Sequence, residues 1–131
     1  YYKNMSERNE ILVAEDEEEI RMQVISAVRE VFPDLNLHEK DNTVGALQVI
    51  NQLAEKLLLV ISDGMMNGNP NAGVLVTNSA IVKGVKHVAL YSTSAKTLER
   101  KLAPNGIQCI EKPKLAEVKD WLINVKVQSE K

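Results

Sequence analysis

Cysteine is almost absent from this sequence, since Cys109 is the only one among 131 residues. A single thiol excludes an internal disulfide, and no spacing of Cys and His residues matches a metal site. The apolar runs are too short to cross a membrane, and no secretory signal precedes the first of them. We therefore expect a protein of the reducing cytoplasm.

An excess of charge of one sign is also lacking. The formal net charge is -2, from 16 Lys and Arg against 18 Asp and Glu. This balance gives no reason to expect direct binding to nucleic acid or to an anionic membrane. The chain is 44% hydrophobic and 26% charged, which is typical of a globular domain. We expect one domain at residues 10–127, with polar tails at 1–9 and 128–131.

Short apolar segments alternate with segments whose apolar residues recur at helical spacing. Unbroken apolar strands separated by amphipathic helices indicate a parallel sheet covered on both faces. The predicted fold is therefore α/β, a doubly wound five-stranded parallel sheet. Ligands bind such sheets beyond the carboxyl ends of the strands. We predict strands at 11–14, 35–39, 57–62, 85–91 and 107–111, and helices at 18–32, 43–55, 74–83, 95–102 and 115–125.

Carboxylates follow two of the predicted strands at that edge. The first strand runs into Glu15 and Asp16, and the third into Asp63. If these strands are neighbours, Asp16 and Asp63 share a small space, and carboxylates about 4 Å apart repel by roughly 4 kcal/mol at an effective dielectric near 20. A cation must offset this repulsion, or one carboxyl must stay protonated. Mg²⁺ is suited to the place because it prefers carboxylate and carbonyl oxygens.

The fourth and fifth strands end in Ser92-Thr93 and Lys112-Pro113. A lysine can supply positive charge at a phosphate site, and a serine supplies a hydroxyl donor. A carboxylate in these surroundings can accept phosphate, since carboxylates form acyl phosphates. Asp63 is the candidate acceptor. The alternative is that Asp63 only caps the turn after its strand.

Four segments resemble the motifs of response-regulator receiver domains, the CheY-like modules of two-component signalling. They are ILVAEDE at the first strand, Asp63 with Met66 three residues later, HVALYST at the fourth strand and EKP at the fifth. The resemblance covers about residues 10–127. It implies a flavodoxin-like (βα)5 fold with strand order 2-1-3-4-5.

The resemblance also implies a phosphoacceptor and a metal site. Asp63 would accept the phosphoryl group and would bind Mg²⁺ together with Asp16. Glu15 would act on the metal through a water molecule, and the backbone carbonyl of Met65 would complete the protein ligands. Mg²⁺ is the only cofactor implied.

Two further residues receive roles from the resemblance. Ser92 would hydrogen-bond the phosphoryl group, and Lys112 would pair with it, beside a cis peptide bond to Pro113. The phosphoryl donor would be a histidine kinase or a phosphotransfer protein, and a downstream effector domain or protein would read the change. The resemblance also allows a homodimer through the fourth and fifth βα units. The chain would catalyse only its own phosphotransfer and autodephosphorylation, so we expect no other enzyme activity.

The sequence departs from the family pattern at several positions near the expected site. Asn67 stands where proline is common, and the glycine that usually follows soon after comes late, at Gly73. Thr93 stands where a small residue is expected, and its larger side chain narrows the access to the expected site. The aromatic residue common in the fifth strand is replaced by Cys109. Tyr91 on the fourth strand could instead supply an aromatic side chain to the coupling with the hydroxyl at Ser92.

Two alternative functions remain open from the sequence. The first is a pseudo-receiver, an interaction module whose acidic residues are structural and never phosphorylated. The second is a small enzyme on the same architecture. A flavin-binding version lacks the Ser/Thr/Gly phosphate cradle and the flanking aromatic residues, and an aspartyl phosphatase lacks an acid two residues after Asp63, where Met65 stands.

Overall fold

The computed structural model describes residues 7–131, in which five parallel strands form one sheet in the order β2-β1-β3-β4-β5. The strands are β1 (Glu10–Ala14), β2 (Asn36–Lys40), β3 (Leu57–Asp63), β4 (His87–Ser92) and β5 (Ile107–Glu111). The helices are α1 (Glu18–Val31), α2 (Thr43–Leu53), α3 (Ala72–Val82), α4 (Ala95–Leu102) and α5 (Leu115–Ser129), with a 3-10 turn at Ala103–Asn105 before β5. The predicted doubly wound fold and its strand order are confirmed.

The predicted elements differ from the observed ones only at their ends. The helix α3 begins at Ala72, directly after the Asn- and Gly-rich loop, and α5 continues to Ser129, into the segment expected to be a tail. Within the expected N-terminal tail, residues 1–6 lie outside the described part of the chain. Arg8 is attached to the domain, since its Nη1 donates to two backbone carbonyls next to the start of β3, over 2.8 and 2.9 Å.

The sheet is buried on both faces. Every residue of β1 and β3 is buried, which is why these strands read as unbroken apolar runs. Because side chains alternate along a strand, Leu12 and Val60 pack under α2, α3 and α4, whereas Ile11 and Leu59 pack under α1 and α5. A fully buried aliphatic side chain contributes about 1.5–3 kcal/mol. The two central strands are therefore firmly held, and so are the residues at their ends.

The strand order decides where polar side chains meet. The chain runs from β1 out to β2 and then returns past β1 to form β3, so the winding direction reverses between β1 and β3. Ala14 of β1 pairs with Ser62 of β3, which sets the carboxyl ends of the two strands side by side. A ligand site is expected at such a reversal. Among the helices of residues 7–131, none combines the length and the apolar character that spanning a bilayer requires.

Candidate functional site

Three carboxylates meet at the carboxyl ends of β1 and β3. Glu15 and Asp16 follow β1 directly, and Asp63 is the last residue of β3. An oxygen from each carboxylate lies within 4.8 Å of the others. Glu15 and Asp63 are only 2% and 6% exposed, and Asp16 is half-buried. Since negative charges at this spacing repel, the cluster requires a positive charge or a proton.

Lys112 supplies a positive charge. Its Nζ lies 2.8 Å from Glu15 Oε1 and 3.0 Å from Asp63 Oδ1, and its side chain is 9% exposed. The side chain reaches past the end of β4, because β4 separates β5 from β3 in the sheet. The backbone N–H of Lys112 donates to Ser92 O over 3.1 Å. The peptide bond to Pro113 is cis, as the resemblance implied.

The buried charges perturb each other's protonation. Burial raises the pKa of Glu15 to about 7, and the neighbouring Asp63 adds to the rise while Lys112 opposes it. Burial would lower the pKa of Lys112, but hydrogen bonds to Glu15 and Asp63 outweigh it and leave that pKa raised. Lys112 therefore stays charged near neutral pH, whereas Glu15 gains or loses its proton there.

Two contacts near Asp16 and Glu15 were not predicted from the sequence. The backbone N–H of Asn67 donates to Asp16 Oδ2 over 2.8 Å, and Arg21 Nη1 donates to the backbone oxygen of Glu15 over 2.9 Å. Asn67 has a φ of 54°, in the left-handed region that Asn tolerates better than most residues. A proline could not replace it, because proline has no N–H and a φ near -65°. The sequence marked Asn67 as a departure, but the contact depends on how the loop folds.

Two glycines let the end of β3 approach its neighbours closely. A Cβ on Gly64 would lie 2.7 Å from Ser92 Cβ, and one on Gly73 would lie 2.6 Å from the Cα of Gly64. Ser92 is buried, and its Oγ accepts a hydrogen bond from the Ser94 N–H over 3.0 Å. The Gly73 N–H donates to Gly64 O over 3.0 Å. The first turn of α3 is thereby joined to the backbone beside Asp63.

The ring of Tyr91 lies beside the Lys112 side chain. Tyr91 is 2% exposed, and the Lys112 Nζ lies 5.7 Å from the centroid of its ring. This is within the range of a cation–π interaction. Cys109 on β5, where the resemblance to receiver domains led us to expect an aromatic residue, is half-buried, and burial raises the pKa of its thiol. In this chain the aromatic ring that contacts the site lysine thus comes from β4.

Asp16 and Asp63 border an open cavity of about 450 Å³. Met65 and Thr93, which line its mouth, are exposed. A cavity of about 830 Å³ lies at the opposite end of the sheet, beside Phe32 and Leu58. None of the residues predicted for the site lines this larger cavity. We therefore identify the smaller cavity as the candidate site, with Asp16, Asp63, Ser92 and Lys112 in its wall.

The donor set fits a hard divalent cation. Three carboxylates offer oxygen ligands within 4.8 Å of one another, and Mg²⁺ is bound in proteins by one or two carboxylates with waters and phosphate oxygens. The mouth of the cavity leaves room for such additional ligands. Lys112 lies on the Glu15 and Asp63 side, while Asp16 contacts the loop after β3. The site therefore offers both a lysine ammonium and a cation-binding set of oxygens next to Asp63.

Solved receiver domains share this fold. No family model matches the sequence, and no curated protein is significantly similar to it. The receiver domain of the hybrid histidine kinase CckA is 23% identical, with a TM-score of 0.63, over 87% of this chain and 98% of that one. A receiver domain of a LuxO repressor protein from Vibrio parahaemolyticus is 17% identical, with a TM-score of 0.68, over 94% of this chain and 96% of that one. A receiver domain of a NarL response regulator from Mycobacterium tuberculosis is 17% identical, with a TM-score of 0.66, over 92% and 98% of the two chains.

Proposed function

We propose that this chain, which has the fold of response-regulator receiver domains, accepts a phosphoryl group on Asp63 with Mg²⁺ bound. The donor is the phosphohistidine of a histidine kinase or of a phosphotransfer protein. The observation that carries the proposal is the position of Lys112, whose Nζ lies within 3.0 Å of both Asp63 and Glu15 in a buried cluster. The proposed domain is residues 10–127, extended at its end by the last turn of α5.

The transfer would form one bond and break one. An oxygen of Asp63 attacks the phosphorus, the new O–P bond forms, and the P–N bond of the phosphohistidine breaks. The electron pair of that bond goes to the imidazole nitrogen of the donor. Both hydrogen bonds described for the Asp63 carboxylate go to Oδ1, from Lys112 Nζ at 3.0 Å and from the Met65 N–H at 3.4 Å. Oδ2 is therefore the oxygen that we assign to the attack.

Each neighbouring residue has a role in this proposal. Asp16 and Asp63 would hold Mg²⁺, with Glu15 acting through water and Met65 contributing its backbone carbonyl. The bound metal would supply positive charge to the transferring phosphoryl oxygens. Lys112 would neutralise the phosphoryl group on its other side, and the hydroxyl of Ser92 would donate a hydrogen bond to it.

Phosphorylation would act as a switch by changing the charge of the site. A phosphoryl group carries about -1.5 to -2 charges; because the Asp63 carboxylate loses its own charge when the acyl phosphate forms, the net change is about -1. Lys112 now divides its positive charge between Glu15 and Asp63. The negative charge would move outward from the Asp63 carboxylate to the phosphoryl oxygens, and these would draw Lys112 and Ser92 away from their present contacts. Since Ser92 ends β4 and Lys112 directly follows β5, the change would reach the surface of β4, α4, β5 and α5. An effector domain or protein would bind that altered surface.

A pseudo-receiver is the second candidate, and the contact between Asn67 and Asp16 favours it. Asp16 Oδ2 already accepts a hydrogen bond from the Asn67 N–H over 2.8 Å, so one oxygen of the expected metal ligand is in use. In this version the acidic cluster is held by Lys112 and the loop alone. The domain would then act by binding a partner in a fixed conformation.

Treatment of the purified protein with acetyl phosphate and Mg²⁺ tests the proposal. We expect a phosphate-sized gain in mass that is lost in acid and in base, as for an acyl phosphate. Asp63→Asn should abolish the gain. Asp34→Asn and Asp41→Asn, which remove carboxylates outside the site, should leave it intact. A gain that persists in Asp63→Asn would mean that another residue is the acceptor, and no gain in the parent protein would favour the pseudo-receiver.

A further inference from the structure

The loop between β3 and α3 contains a tight two-residue turn. The Met66 N–H donates to Asn69 O over 3.3 Å, and the Asn69 N–H donates back to Met66 O over 3.0 Å. Between them, Asn67 has a φ of 54° and Gly68 a φ of 78°. Positive φ at both central residues is typical of a type I′ turn, for which Asn-Gly is a preferred sequence. The segment Met66–Asn69, which we call the Asn67 turn, therefore has a conformation that its own sequence favours.

Both ends of the Asn67 turn are anchored. The Met66 side chain is fully buried in the core, which fixes the end of the turn that leaves β3. At the other end, Asn69 O also accepts the N–H of Ala72, the first residue of α3, over 3.3 Å. The Asn69 side chain adds a second contact, since its Oδ1 accepts the N–H of Asn71 over 2.9 Å. The direction in which the turn presents the Asn67 N–H is therefore set by β3 and α3 together.

The Asn67 turn holds the carboxylate of Asp16. The Asn67 N–H donates to Asp16 Oδ2 over 2.8 Å, although the two residues are 51 positions apart in the chain. Within residues 7–131 this is the one hydrogen bond to that carboxylate. Lys112 pairs instead with Glu15 and Asp63. Of the two Asp16 oxygens, Oδ1 therefore has no donor in the described part of the chain.

We propose that Asn67 is a positioning residue for the divalent cation, because its N–H orients the Asp16 carboxylate and leaves Oδ1 to bind the ion. This inference rests on the proposed function, since the cation is the Mg²⁺ of that proposal. Hydrogen bonds to a ligating carboxylate fix its orientation, and their loss typically lowers metal affinity by about 10- to 100-fold. Without the N–H, binding of the cation would have to order the Asp16 side chain, which costs conformational entropy.

The opposite mechanism is competition between the N–H and the cation for Asp16, as in the pseudo-receiver. Two features favour orientation. An ionised carboxylate offers about four lone-pair sites on its two oxygens, so one N–H leaves most of them unused. A backbone N–H also carries only a partial positive charge, so it reduces the repulsion among the three carboxylates without replacing a cation. The two mechanisms predict opposite effects of removing the N–H, since orientation predicts weaker binding of the cation and competition predicts tighter binding.

Variants of Asn67 test the proposal, with Mn²⁺ as the probe and the free ion measured by electron paramagnetic resonance. Asn67→Pro removes the N–H and cannot adopt a positive φ, so the dissociation constant for Mn²⁺ should rise by about 10- to 100-fold. Asn67→Val keeps the N–H but disfavours a positive φ, so it should also bind Mn²⁺ more weakly. Asn67→Gly keeps both the N–H and the turn, so its dissociation constant should stay close to that of the parent protein.

The matched control is Asn71→Ala, which removes an exposed amide side chain from the same loop without touching the Asn67 N–H. The Asn71 side chain makes no capping hydrogen bond to α3, so this variant should bind Mn²⁺ as the parent does. Melting curves in EDTA show which variants fold. If Asn67→Pro does not fold, the Val and Gly variants make the same comparison.

Four results would overturn the inference. Equal Mn²⁺ affinity in the parent, Asn67→Pro and Asn67→Val would do so and would leave the proposed function standing. A lower Tm in EDTA with an unchanged dissociation constant would give the turn a structural role only. Tighter binding by Asn67→Pro would show that the N–H competes with the cation. A parent protein that binds no Mn²⁺ would overturn the inference together with the metal assignment on which it rests.

Discussion

Replacing Glu15 with Gln should remove a strong coupling between pH and stability. Burial raises the pKa of Glu15 to about 7 in the folded protein, whereas the unfolded chain has the ordinary value of 4.5. Between these values the folded protein keeps a proton that the unfolded chain has lost. The stability due to this proton is complete below about pH 4.5 and is lost as the pH rises toward 7. Gln has nearly the same size as Glu and does not titrate.

The magnitude follows from the size of the pKa shift. One pKa unit corresponds to about 1.4 kcal/mol. From pH 5 to pH 8, the free energy of unfolding of the parent protein should fall by roughly 2 to 3 kcal/mol relative to Glu15→Gln. In a domain of this size about 1 kcal/mol shifts Tm by roughly 3 to 5 °C, so the difference in Tm between the two proteins should change by about 10 °C. Titrating groups that do not contact Glu15 are present in both proteins and cancel in the comparison, and Lys112, whose pKa is raised, stays charged over this pH range.

Thermal melts at several pH values from 5 to 8, with EDTA present, measure this difference. The control is Glu30→Gln on α1, whose parent side chain is 66% exposed; its melting curve should follow that of the parent at every pH. A constant difference in Tm between the parent and Glu15→Gln across this range would refute the reasoning. Such a result would mean that the pKa of Glu15 is the same in the folded and the unfolded protein. Lys112 would then fully offset the cost of burying the Glu15 carboxylate.

Two further predictions concern the metal and the packing of α3. Mg²⁺ should raise the Tm of the parent protein, because a ligand that binds only the folded state stabilises it by mass action. The Asp16→Asn variant should lose most of this increase. An equal increase in Tm in both proteins would contradict the metal assignment. Gly73→Ala should lower the free energy of unfolding by about 1 to 3 kcal/mol, the usual cost of overpacking, because the new Cβ would lie 2.6 Å from the Cα of Gly64 and collide with the Asp63 backbone. The control is Gly45→Ala in α2, whose new Cβ would meet the flexible Lys40 side chain at 3.1 Å. This variant should have nearly the same free energy of unfolding as the parent protein in denaturant. An equal loss of stability in both variants would show that α3 is not held by a close backbone contact.

The alternation of strands and helices could be predicted from the sequence because it depends on local patterns. The apolar run LLLVIS indicates a strand that is buried on both faces of a sheet. Amphipathic spacing indicates a helix, and it can be recognised without knowing which elements the helix packs against. The residues at the carboxyl end of each predicted strand can also be identified in the sequence. Once a parallel sheet was expected, we could predict that four of them are neighbours: Glu15, Asp63, Ser92 and Lys112. The strand order itself came from the resemblance to receiver domains.

The element ends were less predictable because they depend on tertiary contacts. The helix α3 begins two residues earlier than its apolar pattern indicates, since the Gly73 N–H bonds to Gly64 O and the missing Cβ lets the helix approach β3. The contact of the Asn67 N–H with Asp16 likewise forms only when β1 and β3 are side by side. Neither contact has a sequence signal of its own.

The sequence by itself determined the type of chemistry, whereas the tertiary structure decided its electrostatics. The presence of three carboxylates and a lysine at strand ends is a property of the chain. The pKa of Glu15 depends on burial and on the distances to Asp63 and Lys112, which only folding sets. The same holds for the loop after β3, because a turn rich in Asn and Gly is readable in the sequence, but the contact of the Asn67 N–H with Asp16 required the fold. Charge and hydropathy are local properties, while solvent access and distance arise only when segments far apart in the chain are packed together.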